Sequence, residues 1–564
     1  MKRLISCVFA LLYVMTGFAS GTWILHGKEY RVDTLYHAYI GPGTTQTSIK
    51  LAGPVNLRVF YTTTDLKNEN VDVRAIKHKD TLTGLGTVSN AAESHSTSNR
   101  SYFAGINADF FSSSMPCGIT VVDGEVYCSD QASGWSLFGI DANKIPYSGG
   151  GDFYVKLTAP DYSTAELSAM NLERGTNGLV LYSSRKGANT GTDSNGSEVV
   201  LIPDGEGNFL TPGATVRMRV QGNPSHAGSM PIPDNGYILS GSGTKESFVS
   251  NLSEGDVVEV RCAIRFNGFT GGKIQQALGG CPMLVSGGKV LDTENALDHL
   301  TSAQPRTAVG YNAEKNKLVM LVADGRSSIS VGPISKVLAD IMIYAGCSEA
   351  MNFDGGGSST FYVKGEGVIN QPSDGSERSV TDGLYLSTDA PQNDVTITTI
   401  RFMDYAKTLN QGDAYTPVIY GYNQYGVLVD RNVEGVTLSC GLSLGTITND
   451  GTTLNASGSG THMLTAGYGN LTTTLSVTVI GESGISSVDN SQALMIYPNP
   501  VEQGTAVSVD LLSVCRSDGV LVSRIAVNAG EKSVSFDTSE WDRGMYILNV
   551  IQDKNVKSLK LIVK

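Results

Sequence analysis

Asn352-Phe353-Asp354-Gly355-Gly356-Gly357-Ser358-Ser359-Thr360 (NFDGGGSST) lies just past a stretch with a helical pattern, and its first two residues close a short apolar strand, EAMNF. One carboxylate, three successive glycines and two hydroxyls therefore stand where a β-strand is expected to end. Without a Cβ, glycine lets the backbone turn tightly and brings its N–H groups close to a bound anion. Ser358 and Ser359 add donors, and Asp354 adds a fixed charge or a proton-transfer group. Such a turn suits a sugar or phosphoryl oxygen better than a packed core. It is not a Walker loop, because no Gly-Lys-Ser/Thr follows the glycines.

The pattern around this turn is the clearest in the chain. RTAVGYN and KLVMLVA alternate as two strands joined at Ala313-Glu314-Lys315-Asn316, and the second runs into Ala323-Asp324-Gly325-Arg326. Pro333 is expected to open a helix at its favoured first position. Its apolar stripe would be Ile334, Val337, Leu338, Ile341, Met342 and Ala345, with Gly346 just past its end. Upstream, Val88 to Asn99 is read as a modest helix, followed by the strand YFAGINADFFSSS. CGITVVDGEVYC predicts a hairpin turning at Asp123-Gly124, and LGGCPMLVSGGKVL predicts another at Gly287-Gly288. Cys117 and Cys128 would then sit diagonally across the first hairpin, which leaves a disulfide and two free thiols equally open.

At 564 residues with 40% hydrophobic content, the chain is long enough for several domains with real cores. Its 65 glycines and 24 tyrosines, set among short runs of Val, Ile, Leu and Thr, favour many strands joined by tight turns. The expected class is α+β: a mostly antiparallel sheet catalytic domain with few helices over residues 21–390, followed by two small β-sandwich-like domains. These span 394–480 and 495–564, with a Gly/Ser linker at 481–494. Residues 1–20 read as an export signal, with Lys2 and Arg3 before an apolar run that ends in small residues. No other segment approaches the length of a membrane span. The expected location is outside the cytoplasm: periplasmic, cell-surface or secreted. A net charge of −13 argues against nucleic acid as a partner.

Three carboxylates stand at predicted strand ends, Asp109, Asp324 and Asp354, with Arg306 and Arg326 beside them in sequence. Glycoside cleavage uses paired carboxylates, one for proton transfer and one for the nucleophile or its activation. A guanidinium fork matches two phosphate oxygens at once. Any one of these residues alone would read as a turn cap, but their combination with the triple glycine argues for a site. The seven histidines are scattered without ligand spacing, so no zinc site is expected. No Gly-x-Ser-x-Gly elbow occurs, which makes Ser358 and Ser359 hydrogen-bond donors rather than nucleophiles. Phe110 and Phe111 suit either sugar stacking or the core.

Taken in order, NADFF from Asn107, PMLV from Pro282, PRTAVG from Pro305, DGR from Asp324, NFDGGGSS from Asn352 and RSVTDGLYL from Arg378 resemble the phosphodiester glycosidase family. That family includes N-acetylglucosamine-1-phosphodiester α-N-acetylglucosaminidase. The resemblance runs over roughly residues 30 to 388. It implies cleavage at the anomeric carbon of a sugar phosphodiester, giving free sugar and a phosphomonoester. The implied catalytic residues are Asp354, Asp324 and Asp109. Asn107, Arg306, Arg326, Asn352, Gly355, Gly356, Gly357, Ser358 and Ser359 would bind substrate. Ser286-Gly287-Gly288 and Gly332-Pro333-Ile334-Ser335 depart from the family pattern, which bears on the sugar more than on the reaction. YPNPV, RGMYILNV and the closing KLIVK resemble a type IX secretion sorting domain, and residues 394–480 resemble a bacterial immunoglobulin-like domain.

A sugar-phosphate or glycan is the expected substrate, and no cofactor is expected. A Ca2+- or Mg2+-dependent phosphodiesterase stays open should the three aspartates bind metal, though their spacing forms no recognised loop. A carbohydrate- or phosphate-binding surface protein without turnover is the alternative of another class. Three carboxylates argue against it, since binding an anion gains little from them. A purely structural adhesin would leave the ordered motifs before residue 388 unexplained.

Overall fold

The computed structural model describes residues 21–481 apart from 131–133, 206–208, 268, 271 and 293–300, together with strand segments between 506 and 563. The expected export signal, the YPNPV motif and most of the expected linker lie outside the described residues. The chain forms two compact units, one reaching to Ile480 and the other Gly481–Lys564. No described helix is long and apolar enough to cross a membrane.

Antiparallel sheet dominates the first unit. A nine-stranded sheet takes the order Gly21–Leu25, Lys28–Gly41, Thr44–Ala52, Asn56–Asp65, Lys317–Ala323, Arg306–Tyr311, Glu349–Asn352, Met283–Ser286 and Lys289–Val290. A five-stranded sheet takes the order Gly367–Val368, Phe361–Val363, Ser101–Asn107, Asp382–Thr388 and Asp72–Lys77. Phe60, Phe103, Ile106, Val309, Met320, Phe353, Phe361 and Leu384 join these two sheets in one buried core. A thirteen-stranded sheet built mainly from residues 120–280 encloses a separate core around Leu157, Leu181, Leu201, Met218 and Val260.

Among the described residues the α-helices are Val88–Ser94, Glu246–Ser250 and Ser335–Tyr344. The last of these buries Val337, Leu338, Ile341 and Met342 against the nine-stranded sheet, as its apolar spacing requires. Pro333 lies just outside it, because the cap is Ile334. Gly346 follows the C-cap with φ +98°, where a side chain would be strained. The first helix is shorter than its sequence suggests. His95 closes it, and the Ser96 hydroxyl bonds back to Ala92 O while accepting Tyr102 N–H.

Both expected hairpins form. Asp123 and Gly124 have φ +50° and +83°, and Gly287 and Gly288 have +57° and +73°, the paired left-handed conformation of a two-residue turn. A bulge at Val126–Cys128 sets Cys128 opposite Thr120, and Cys117 and Cys128 are both free thiols. Residues 399–480 form three small sheets around Leu409, Leu444, Leu454, Leu464, Leu475 and Val477. They abut the preceding part of the unit through Tyr422 Oη to Tyr39 O (2.8 Å) and an Arg431–Glu366 ion pair. In the second unit, Leu521–Arg524, Ser513–Arg516, Gly544–Gln552 and Asn555–Val563 form a four-stranded antiparallel sheet.

Candidate active site

The nine- and five-stranded sheets meet at the ends of two strands, Glu349–Asn352 and Ser101–Asn107. There Asp354 N–H donates to Ala108 O (2.8 Å), and Asn107 Nδ2 donates to Asp354 O (2.7 Å). Asn107 Oδ1 accepts from Thr307 Oγ1 (2.8 Å) and from Thr360 N–H (3.1 Å). One buried asparagine thus fixes both ends of the glycine turn. Asn352 donates through Nδ2 to Cys281 O and Phe353 O, both at 2.7 Å.

The turn itself is a short 3-10 segment, Gly356–Ser358. Its Gly356, Ser358 and Ser359 N–H groups are committed to Pro305 O, Gly355 O and Gly356 O. The expected cradle of free backbone donors is therefore largely used up, and guanidinium groups surround the turn instead. A Cβ on Gly356 would stand 3.0 Å from Arg326 Nη2, and one on Gly357 would collide with Arg378 Nη2 and the Asp374 carboxylate. Glycine is needed here to let cationic side chains close onto the backbone. Arg326 is exposed and oriented by Gln304 Oε1 (2.7 Å) and Ser373 Oγ (3.3 Å). Arg378 pairs with Asp374 and reaches Ser358 Oγ at 3.4 Å.

Asp354 sits at the half-exposed rim. Burial lifts its carboxyl to about 6, while the Ser358 hydroxyl, the Arg378 charge and Gly355 N–H pull the other way. Asp109 is enclosed: its Oδ2 accepts Gly118 N–H (2.8 Å), and its Oδ1 has no partner. Burial, the neighbouring Asp382 and Asp354 together hold its carboxyl well above the usual range, against donors at Gly118 and Phe110. Asp382 accepts Asp109 N–H through Oδ1 (2.9 Å), and burial raises it to about 6 despite the charge of Lys77.

Asp324 occupies a different place. Its Oδ1 accepts Gln371 N–H (2.9 Å) and Asn370 Nδ2 (3.2 Å), and Asn370 in turn holds Ser359 O and Phe361 N–H. It braces the turn from behind, and burial raises it to about 6 against those two donors and Arg58. Arg306 is buried with Nε on Pro333 O (3.2 Å) and Nη2 on Ser302 O (2.9 Å), and desolvation beside Arg326 lowers it to about 10. Phe110 meets Trp135 edge-to-face at 4.9 Å, both half-buried, whereas Phe111 packs against the cluster around Tyr102 and Tyr362. Among the described residues, no three His, Cys, Asp or Glu side chains converge as a metal-ligand set. Two surface cavities of about 550 and 360 Å3 share Asp123 and lie away from this cluster.

The structure therefore joins Asn107, Asp109, Asn352, Asp354 and the glycines at one sheet junction, with Arg326 over it and Asp324 and Arg306 behind. Asp382, Arg378 and Lys77 were not singled out from sequence. The signal for the first two was present in RSVTDGLYL, where both bracket the start of the closing strand.

Residues 211–387 match the family described as phosphodiester glycosidase. The same motifs carried the resemblance in the sequence, although Asn107 and Asp109 precede the matched range and reach the site only through the fold. Residues 495–564 match the secretion system C-terminal sorting domain, which marks the chain for export to the cell surface or secretion. The SPbeta prophage-derived protein YomE of Bacillus subtilis (strain 168) is 40% identical over 88 residues, 16% of this chain and 13% of that protein. A Synechocystis protein of known structure is 15% identical at a TM-score of 0.48, with 61% of this chain and 62% of that one covered. The catalytic domain of zebrafish N-acetylglucosamine-1-phosphodiester alpha-N-acetylglucosaminidase, auto-inhibited by its pro-peptide, is 13% identical at a TM-score of 0.33, over 63% of this chain and 87% of that one. The chain thus spans less than two thirds of the Bacillus and Synechocystis proteins.

Proposed function

We propose that this exported protein hydrolyses sugar-1-phosphodiesters at the anomeric C–O bond, on glycan or cell-wall material. The observation that carries the reading is Asp354, a rim carboxylate bonded to Ser358 and facing the Arg378 guanidinium, with Arg378 and Arg326 closing over Gly357 and Gly356 of the same turn. A carboxylate at a turn that carries two guanidinium groups fits a reaction in which positive charge develops on a sugar and negative charge on a departing phosphate.

Water attacks the anomeric carbon and gives a proton to Asp354. The bond from that carbon to the phosphate oxygen breaks, and its electron pair leaves with the phosphate. Free sugar and a phosphomonoester result. Phosphate is a good leaving group, so charge stabilisation by Arg326 and Arg378 matters more than proton donation. The half-buried Phe110–Trp135 pair offers an apolar surface for a sugar ring. Asp324 and Arg306 support the turn in this scheme rather than touch substrate.

The test is release of sugar from an N-acetylglucosamine-1-phosphodiester and from UDP-N-acetylglucosamine, with and without EDTA, by wild type and Asp354→Asn. Release that survives EDTA and is lost in the variant supports a metal-independent glycosidase. Binding of either compound without release would favour a carbohydrate- or phosphate-binding protein.

A further inference from the structure

Three carboxyls interact across the site, Asp354 at its rim and the enclosed Asp109 and Asp382 beneath it. Lys77 lies directly across from Asp382, its partner in the antiparallel pairing of Asp72–Lys77 with Asp382–Thr388. It has no exposed surface, and its Nζ donates to Gly84 O and Thr381 O, both at 3.1 Å. A lysine is almost never fully buried without a counter-charge. The neighbouring His78 does not supply the positive charge: Nδ1 lies 2.8 Å from Gly86 O, Nε2 lies 2.7 Å from Tyr385 Oη, and burial lowers it to about 4.

We propose that Lys77 is the internal counter-ion of the site, holding the Asp382 carboxylate charged and leaving Asp109 as the member that keeps its proton. Two buried oxygens have no partner, Asp109 Oδ1 and Asp382 Oδ2. An orphaned, buried carboxylate oxygen is costliest when the group is charged, and a proton on Asp109 removes that charge. Asp109 Oδ2 is already committed to Gly118 N–H and Asp382 Oδ1 to Asp109 N–H, so the backbone fixes the relative orientation of the pair. The remaining titratable groups facing the cluster do not change the sign. Cys128 and Asp80 face Lys77, Cys117 faces Asp109, Asp354 and Asp382, and Tyr385 faces Asp382. Burial lifts the Cys117 thiol to about 11 and the Cys128 thiol to about 12, so both are neutral beside the pair. Lys77 is thus a positioning residue that acts on the reaction through Asp382.

The counter-ion role is read without any substrate; only its effect on rate rests on the function proposed above. Full-length wild type, Lys77→Met, Asp382→Asn and the double variant are unfolded in urea below and above about pH 6, where Asp382 titrates. The expected result is that Lys77→Met loses stability mainly above that pH, where Asp382 is charged and unpaired, and that the double variant recovers most of the loss. An equal loss at both pH values, or a double variant as unstable as Lys77→Met, overturns the proposal, because packing alone is pH-independent. With sugar phosphodiester as substrate, the acid limb of kcat/KM in Lys77→Met should also shift, since the charge of Asp382 bears on Asp354. A limb that does not move contradicts the link to the site. Absence of any hydrolysis contradicts the proposed function and leaves the urea series to decide on Lys77.

Discussion

Asn107 and Asp354, 247 positions apart in the chain, are joined by a 2.7 Å hydrogen bond from side-chain amide to backbone carbonyl, and this bond ties the two sheets together where the carboxylates gather. Asn107 also holds Thr307 and Thr360, so one side chain sets the position of the glycine turn relative to Asp109. Asn107→Ala should leave two groups without a partner, Asp354 O and Thr360 N–H, at about 1–3 kcal/mol each, while the Thr307 hydroxyl keeps Ser359 Oγ. A urea midpoint well below wild type, together with lost activity, is the expected outcome.

Asp354 must be ionised to take a proton from water, and its carboxyl sits at about 6. The rate should therefore rise as pH increases through about 6 and level off above it. Asp354→Asn should lower kcat by on the order of 10²–10⁴-fold on the plateau above about pH 6, and the gap should narrow as wild type loses its base at lower pH. A pH series of kcat/KM on both proteins checks this.

Arg378 lies against Gly357 and Ser358, where a departing phosphate would gather charge. Arg378→Met should cost on the order of 10²–10³-fold in kcat, as loss of a transition-state donor does. It should also push the acid limb upward, because the Arg378 charge favours ionised Asp354. A change in KM alone would mark Arg378 as a binding group instead.

Gly357→Ala tests the crowding of the turn directly. The new methyl collides with Arg378 and Asp374, so the guanidinium must withdraw. Activity should fall as far as in Arg378→Met, with little effect from combining the two changes, since both act on one contact.

Asp324 titrates at about 6 in the folded protein and near 3.8 when unfolded. Between those values the native state binds the extra proton, so this group's contribution falls as pH rises through the window and stays lower above it. Asp324→Asn should flatten that part of the stability curve, measured as urea midpoints across the acid range.

Much of this architecture was legible because local rules and the fold agree. Asp123-Gly124 and Gly287-Gly288 turn as their φ preferences dictate, and the stripe from Val337 to Met342 finds the sheet. Asp109 and Asp354 stood out because each ends a strand beside glycine or aromatic residues. Asp382 and Lys77 were hidden for a physical reason: their pairing depends on two strands more than 300 positions apart. Asp324 looked equivalent to Asp354 because both end strands, yet only the packing of Asn370 and Gln371 shows that its carboxylate is already bonded. The glycine turn likewise promised free N–H groups, which the 3-10 geometry spends on carbonyls.

The proposed mechanism differs from its alternatives in which bond breaks. Hydrolysis of an N-acetylglucosamine-1-phosphodiester in oxygen-18 water, with mass spectrometry of both products, decides it. Label in the free sugar is the result expected of attack at the anomeric carbon, and label in the phosphomonoester would show attack at phosphorus and contradict the mechanism.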